Sequence, residues 1–395
     1  MVFPDYTRFA AGLTCPGSKP GLYYPLMETD GYSTWLEIDL DAIRNNIRQL
    51  RKITGNEVMA VVKANGYGHG AIRVAQAAVE AGSNWCGVGR LEEALLLREA
   101  GIGCRILIMG YTPPTGISEA INQNISVTVY DLEQGEQYAS QARTVGKTVR
   151  VHAKVDTGMG RLGVMAQEAP QFLDWIRRQN GLLLEGVFTH FARADEPEEA
   201  LTGIQIERFD EVLHQLESGG SRPNVVHAAN SAGAIFFPGS RFNIVRSGIA
   251  IYGLNPSPEA VLPQEFRPAM SWKARLTSAR IFPPGHGVSY GSIYTTSGFE
   301  RIGTIPVGYA DGFRRVAGQQ VLINGKRAPV VGRVCMDQCA VQLDDVPEAR
   351  QGDEVVLLGQ QGDEKISADE IGKRWGTINY EVVCGLAYRL PRIYF

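Results

Sequence analysis

The sequence has no long hydrophobic run, no block of like charge and no CxxC pair. No stretch approaches the roughly 20 apolar residues of a membrane span. The N-terminus lacks a basic region followed by an apolar core, so no secretory signal is expected. A net charge of −3 without a basic cluster leaves no footprint for nucleic acid or anionic lipid. The six cysteines lie at positions 15, 86, 104, 335, 339 and 384. Cys335 and Cys339 have no second pair and no histidine nearby, so no metal site is expected, and the thiols read as those of a reduced, cytoplasmic protein. No internal repeat or low-complexity tract occurs. What remains is an ordinary globular composition, 44% hydrophobic and 21% charged, over 395 residues, enough for two or three domains.

Residues 1–31 carry several Pro and Gly and no period, and are expected to form an irregular extension. Leu36, Ile38 and Leu40 alternate with acidic residues, as in a half-buried strand, and Asp41 is placed as the cap of the next helix. From Val58 onward, eight apolar runs alternate with amphipathic segments: Val58–Lys63, Trp85–Val88, Arg105–Met109, Ile125–Val129, Val149–Val155, Leu184–Thr189, Asn224–His227 and Phe242–Val245. Asp131 with Gln134, and Thr202 with Gln205, have the spacing of capping boxes. Eight strand–helix units predict an α/β fold with a closed (β/α)8 barrel of the TIM type over residues 32–262. An open doubly wound sheet would want a GxGxxG turn, and Gly66, Gly68 and Gly70 are wrongly spaced for it. Beyond a Pro-rich linker, residues 263–395 read as a mostly β domain with one short helix capped by Ser367 and Glu370.

The stretch VMAVVKANGYGHG, Val58 to Gly70, joins a buried strand to a glycine-rich turn with Lys63 at the junction. Partial burial lowers a lysine pKa and makes the amine nucleophilic, as a Schiff base with a carbonyl cofactor requires. A lysine that merely snorkels to solvent has the same local sequence. Other strand ends bring Lys154 with Asp156, His190, Asn230 with Ser231, and Arg246 with Gly248 to the face where barrel enzymes keep their active sites.

Nine motifs in order resemble those of the alanine racemase family: AVVKANGYGHG (Ala60–Gly70), HAKVDTGMGRLG (His152–Gly163), THFARADE (Thr189–Glu196), HAANSAG (His227–Gly233), RSGIAIYG (Arg246–Gly253), GVSYG (Gly287–Gly291), GYADG (Gly308–Gly312), GRVCMDQ (Gly332–Gln338) and INYEVVC (Ile378–Cys384). The resemblance implies an amino-acid racemase that interconverts L- and D-alanine by a two-base mechanism on a pyridoxal 5′-phosphate imine, and that supplies D-alanine for peptidoglycan. It implies Lys63 as cofactor lysine and base on the D side, and Tyr290 as base on the L side, aided by His190. The phosphate would lie on Tyr67, Ser231 and Tyr380 and on the Gly248 and Ile249 amides, with Asn230 close by, and Arg246 would face the ring nitrogen. Arg161 and the Met336 N–H would take the substrate carboxylate. Tyr309 and Asp337 would narrow the entrance, and Lys154 would be carbamylated so as to orient Arg161. Because Lys63 and Tyr290 lie in different domains, the resemblance implies a homodimer whose sites draw on both subunits.

Retention of the Tyr380 ring favours alanine over serine, although a serine-preferring or broader racemase keeps the same motifs. The nearest alternative enzyme is a barrel-type decarboxylase of basic amino acids, whose cysteine-bearing acidic motif Cys335-Met336-Asp337 matches poorly. A pyridoxal phosphate carrier without turnover would need the barrel alone.

Overall fold

A computed structural model describes residues 29–220 and 222–395. The irregular extension expected over residues 1–31 lies outside the described residues except for Thr29–Gly31, a single 3-10 turn.

The first sheet has nine strands; eight parallel ones run in the spatial order Ile244–Ser247, Glu57–Val61, Trp85–Val88, Arg105–Ile108, Ile125–Val129, Val149–Asp156, Leu182–Phe188 and Val225–His227, and the short Val164–Met165 pairs with Val149–Asp156. The outermost two are consecutive in the chain. Asn243 N donates to Val226 O at 3.0 Å and Arg246 N to Ala229 O at 2.9 Å, which bridges the last gap of a (β/α)8 barrel. The strands are Val- and Ile-rich and buried on both faces, as a parallel sheet covered by helices requires.

The second sheet has ten strands and is mostly antiparallel. The strand Thr34–Ile38, which the sequence places with the barrel, belongs to this sheet. It pairs antiparallel with Met270–Arg275 (Leu36 opposite Trp272) and parallel with Arg392–Tyr394 (Leu36 opposite Arg392). Trp35, Leu36 and Ile38 are fully buried there, so a two-residue period describes only part of its burial. The pairing ties the chain's first described strand to its last.

Three local expectations also change. The helix Leu40–Thr54 is capped by Asp39, whose side chain accepts from Ala42 N at 2.7 Å, and Asp41 lies inside the first turn. Thr202 and Gln205 form no capping box, because the helix Leu201–Ser218 starts earlier and both side chains are buried on its core face. The predicted strand Val58–Lys63 ends at Val61. By contrast Asp131 accepts from Gln134 N at 2.7 Å, and Ser367 accepts from Glu370 N at 3.1 Å, as predicted. A further short helix, Asn379–Cys384, was not anticipated.

Candidate active site

Lys63 leaves the strand Glu57–Val61 through an unusual piece of backbone. Ala64, Asn65, Gly66 and Tyr67 all have φ between 51° and 60°, a single left-handed turn. L-residues resist this region by about 1–2 kcal/mol each, so neighbours must hold it. The Glu93 carboxylate does so from one side, accepting from Ala64 N at 2.6 Å and Gly89 N at 2.7 Å. On the other side Asn65 Oδ1 accepts from Ala71 N at 3.0 Å and starts the helix Ala71–Glu80. The turn fixes where the lysine stem points and brings Tyr67 back into the barrel mouth.

The Lys63 amine is accessible, yet the surrounding protein keeps water from much of it, and that desolvation lowers its pKa. Arg161 pushes in the same direction, Glu93 opposes, and Arg246 adds to the lowering. Lys154, on the strand Val149–Asp156, is only 4% exposed, and burial with Arg246, Arg161 and Lys63 pulls it down to about 8. Asp156 accepts from the N–H groups of Gly158, Met159 and Gly160 at 2.8, 2.8 and 2.9 Å, shaping the loop that presents Arg161. Among the described residues the Arg161 guanidinium has no hydrogen bond or ion pair, so its planar fork is left for an anion.

Arg246 is 3% exposed, and its Nη2 donates to Thr189 O and Ala228 O at 2.8 Å each and to His190 Nδ1 at 3.1 Å. Burial and then the Arg246 charge hold His190 well below the usual imidazole range, so the ring is neutral. Gln205, the residue expected to help cap a helix, instead reaches across this loop. Its Oε1 accepts from Ala192 N at 2.9 Å, and its Nε2 donates to His190 O at 3.2 Å.

A cradle lies beside these cations. Ser231 Oγ accepts from Gly248 N at 3.1 Å and Ala250 N at 3.2 Å. A Cβ at Gly248 would stand 2.5 Å from the Tyr67 hydroxyl, so only a bare backbone lets that oxygen settle there. The Tyr67 ring packs against Tyr252 and Tyr380, tilted by 31° and 50° to them, with centroids 4.9 and 6.2 Å away. Ile249 is buried on the same turn. Asn230 Oδ1 caps the helix Ser231–Phe236 by accepting from Gly233 N at 2.8 Å.

The remaining predicted residues lie in the second domain. Tyr290 is 70% exposed and among the described residues makes no side-chain hydrogen bond. The residue before it, Ser289, has φ 65° and ψ −174°, a conformation a side chain tolerates only when held, and its Oγ donates to Arg333 O at 2.6 Å. Tyr309 N donates to Cys335 O and Ala310 N to Met336 O, both at 3.0 Å, which joins the GYADG and CMDQ loops. Arg389 bridges Asp337 and Asp311, at 2.7 Å to each. Within one chain, Lys63, Lys154, Arg161, His190, Arg246, Tyr67, Ser231, Gly248 and Tyr380 gather at the barrel mouth. Tyr290, Met336, Tyr309 and Asp337 lie exposed on loops of the second domain.

Comparison with known proteins divides the chain between the barrel and the second domain. The family model for the alanine racemase N-terminal domain matches residues 38–256, and that for its C-terminal domain matches residues 269–394. An alanine racemase of Symbiobacterium thermophilum is 47% identical over 93% of this chain and 99% of its own length. One from Geobacillus stearothermophilus is 46% identical over 92% and 93%. The crystal structure of the Bacillus anthracis alanine racemase with bound L-Ala-P superposes with a TM-score of 0.87 at 42% identity, covering 92% of this chain and 95% of that one. With both domain models matched in order and near-half identity across nine-tenths of its length, the chain belongs to the alanine racemase family.

Proposed function

We propose that the protein interconverts L-alanine and D-alanine, with pyridoxal 5′-phosphate as cofactor, as a cytoplasmic homodimer whose product feeds peptidoglycan. The observation that carries this reading is the Lys63 amine at the head of the left-handed turn, with Arg161, Lys154 and Arg246 acting on it or on its neighbours and the Tyr67–Gly248 cradle beside it. An excess of cations suits a phosphorylated cofactor and a carboxylate substrate. The Tyr67 hydroxyl, without a hydrogen bond among the described residues and over a bare backbone, suits the phosphate itself.

When bound, pyridoxal phosphate supplies a carbonyl for an amine and a ring that accepts the charge left by a departing α-proton. Lys63 Nζ would hold it covalently. The Tyr67, Ser231 and Tyr380 hydroxyls and the Gly248 and Ile249 amides would take its phosphate, and Arg246 would donate to its ring nitrogen. Arg161 and the Met336 N–H of the partner subunit would orient the substrate carboxylate.

Racemisation needs proton transfer on both faces of one carbon. Lys63, with its lowered pKa, removes or returns the proton on the D face. Tyr290 of the partner subunit serves the L face. A guanidinium only donates, so His190 Nδ1 must accept from Arg246, and the His190 proton sits on Nε2. That N–H is then free to donate to the Tyr290 oxygen and stabilise it while deprotonated. Tyr309 and Asp337 narrow the approach.

Circular dichroism of L-alanine incubated with protein and cofactor tests the reading. The signal is expected to decay to zero, and that of L-serine to decay more slowly. A constant L-alanine signal, or release of carbon dioxide from L-lysine, would overturn it.

A further inference from the structure

Arg246 is a deeply buried cation of the barrel, and every group it touches is uncharged. Its Nη2 meets two carbonyls and the neutral His190, and its Nη1 meets His227 Nδ1 at 2.9 Å. Among the described residues it forms no ion pair. A cation held out of water needs compensation, and here it lies further along a line of contacts. His227 Nε2 is 2.8 Å from His152 Nδ1, and His152 Nε2 is 3.1 Å from Glu185 Oε2. Both histidines are completely buried, and the Glu185 side chain is 12% exposed.

The proton positions along this line follow from the donor inventory of the groups. The guanidinium has donors only, so His227 Nδ1 must accept and the His227 proton sits on Nε2. That N–H donates to His152 Nδ1, which places the His152 proton on Nε2 as well. His152 then donates to the Glu185 carboxylate, a group able to end the line because it only accepts. The Ser126 hydroxyl donates to the same oxygen, and Arg105 Nη1 lies 3.7 Å from the other. Packing holds the rings in place. His227 stacks on Phe188 at 4.8 Å between centroids and 12° between planes, and Trp85 meets His152 edge-on at 5.5 Å.

We propose that Glu185 is a positioning residue of the active site: by accepting the last N–H of the line it holds His152 and His227 in the orientation that Arg246 requires, and it is the remote counter-ion of that buried charge. Its effect on turnover rests on the racemase reading, whereas the line of hydrogen bonds does not. Partners that stand behind a ligand group in this way set its orientation, and their loss typically lowers activity about tenfold or more.

Long-range proton–nitrogen spectra of histidine-labelled protein without cofactor test the proposal. Wild type should show His152 and His227 both as Nε2–H tautomers. Glu185→Leu should shift the ring nitrogens of both and lower kcat about tenfold, with KM for alanine little changed. Glu185→Gln keeps an accepting oxygen and should retain the tautomers and most of kcat. Unchanged ring nitrogens in folded Glu185→Leu would overturn the proposal. Should that variant not fold, an Nδ1–H tautomer at either histidine of wild type would do the same. Correct tautomers without any racemisation of alanine would instead overturn the assigned activity alone.

Discussion

Lys154 is held at about 8 by burial and by the cations around it, which leaves its amine about one-tenth neutral at pH 7 and about nine-tenths at pH 9. A neutral amine adds to carbon dioxide, gaining a carboxylate and releasing a proton. The carbamate expected at Lys154 would place an anion where Lys63, Arg161 and Arg246 otherwise repel one another. The sign is set by the lowered value: uptake at constant carbon dioxide should rise from pH 7 to pH 9, and at either pH it should exceed that of a lysine near 10.5, whose neutral fraction is far smaller. Carbon-13 spectra with labelled bicarbonate, compared with Lys154→Arg, measure it; no carbamate signal at pH 9 would remove this role from Lys154. Lysines and arginines at strand ends were legible in the sequence because their charge is conspicuous there. Glu93, Gln205 and Glu185 were not. Each is an ordinary polar residue in a helix or strand, and its partners lie far off in the chain, as from Glu93 to Ala64 or from Glu185 to His152.

Period and burial made the barrel readable at the scale of elements, since eight apolar runs between helices leave few other folds. The strand Thr34–Ile38 was read in the wrong domain because nothing local announces a partner such as Ala274, 240 positions away. The left-handed turn was missed for a different reason: glycines advertise freedom, but Ala64, Asn65 and Tyr67 adopt the same hand under external restraint. Part of that restraint is the short helix Asn379–Cys384, which carries Tyr380. A Cβ on Gly68, where φ is 82°, would stand 2.2 Å from Val383 O. The left-handed conformation and the clash with main chain act together, so Gly68→Ala should cost at least about 2 kcal/mol of stability. The displaced helix should also weaken the cradle, with a raised dissociation constant for pyridoxal phosphate. Denaturant midpoints and cofactor titration measure the two effects, and an unchanged midpoint would mean that the contact yields freely.

At the scale of the whole molecule, the second domain presents large apolar side chains to solvent. Ile281, Tyr290, Ile293, Phe299 and Met336 are each more than half exposed, and all belong to the domain that carries the proposed second base. Large exposed apolar groups concentrated in this way mark an interaction surface. If two chains pair so that each barrel mouth receives the other's Tyr290, inactive variants should repair one another. Lys63→Ala lacks one base and Tyr290→Phe the other, and each homodimer alone should be nearly inactive. Unfolding and refolding an equal mixture makes about half of the dimers mixed, and each mixed dimer has one site with both bases, so about a quarter of the wild-type rate should return. Were Lys63 and Tyr290 to act within the same chain, no mixed dimer would hold a complete site and the rate would stay at the level of the separate variants. An affinity tag on one variant, with the untagged partner identified by mass in the captured dimers, distinguishes that result from a simple failure to exchange subunits. Recovery therefore reports directly on which chain supplies each base.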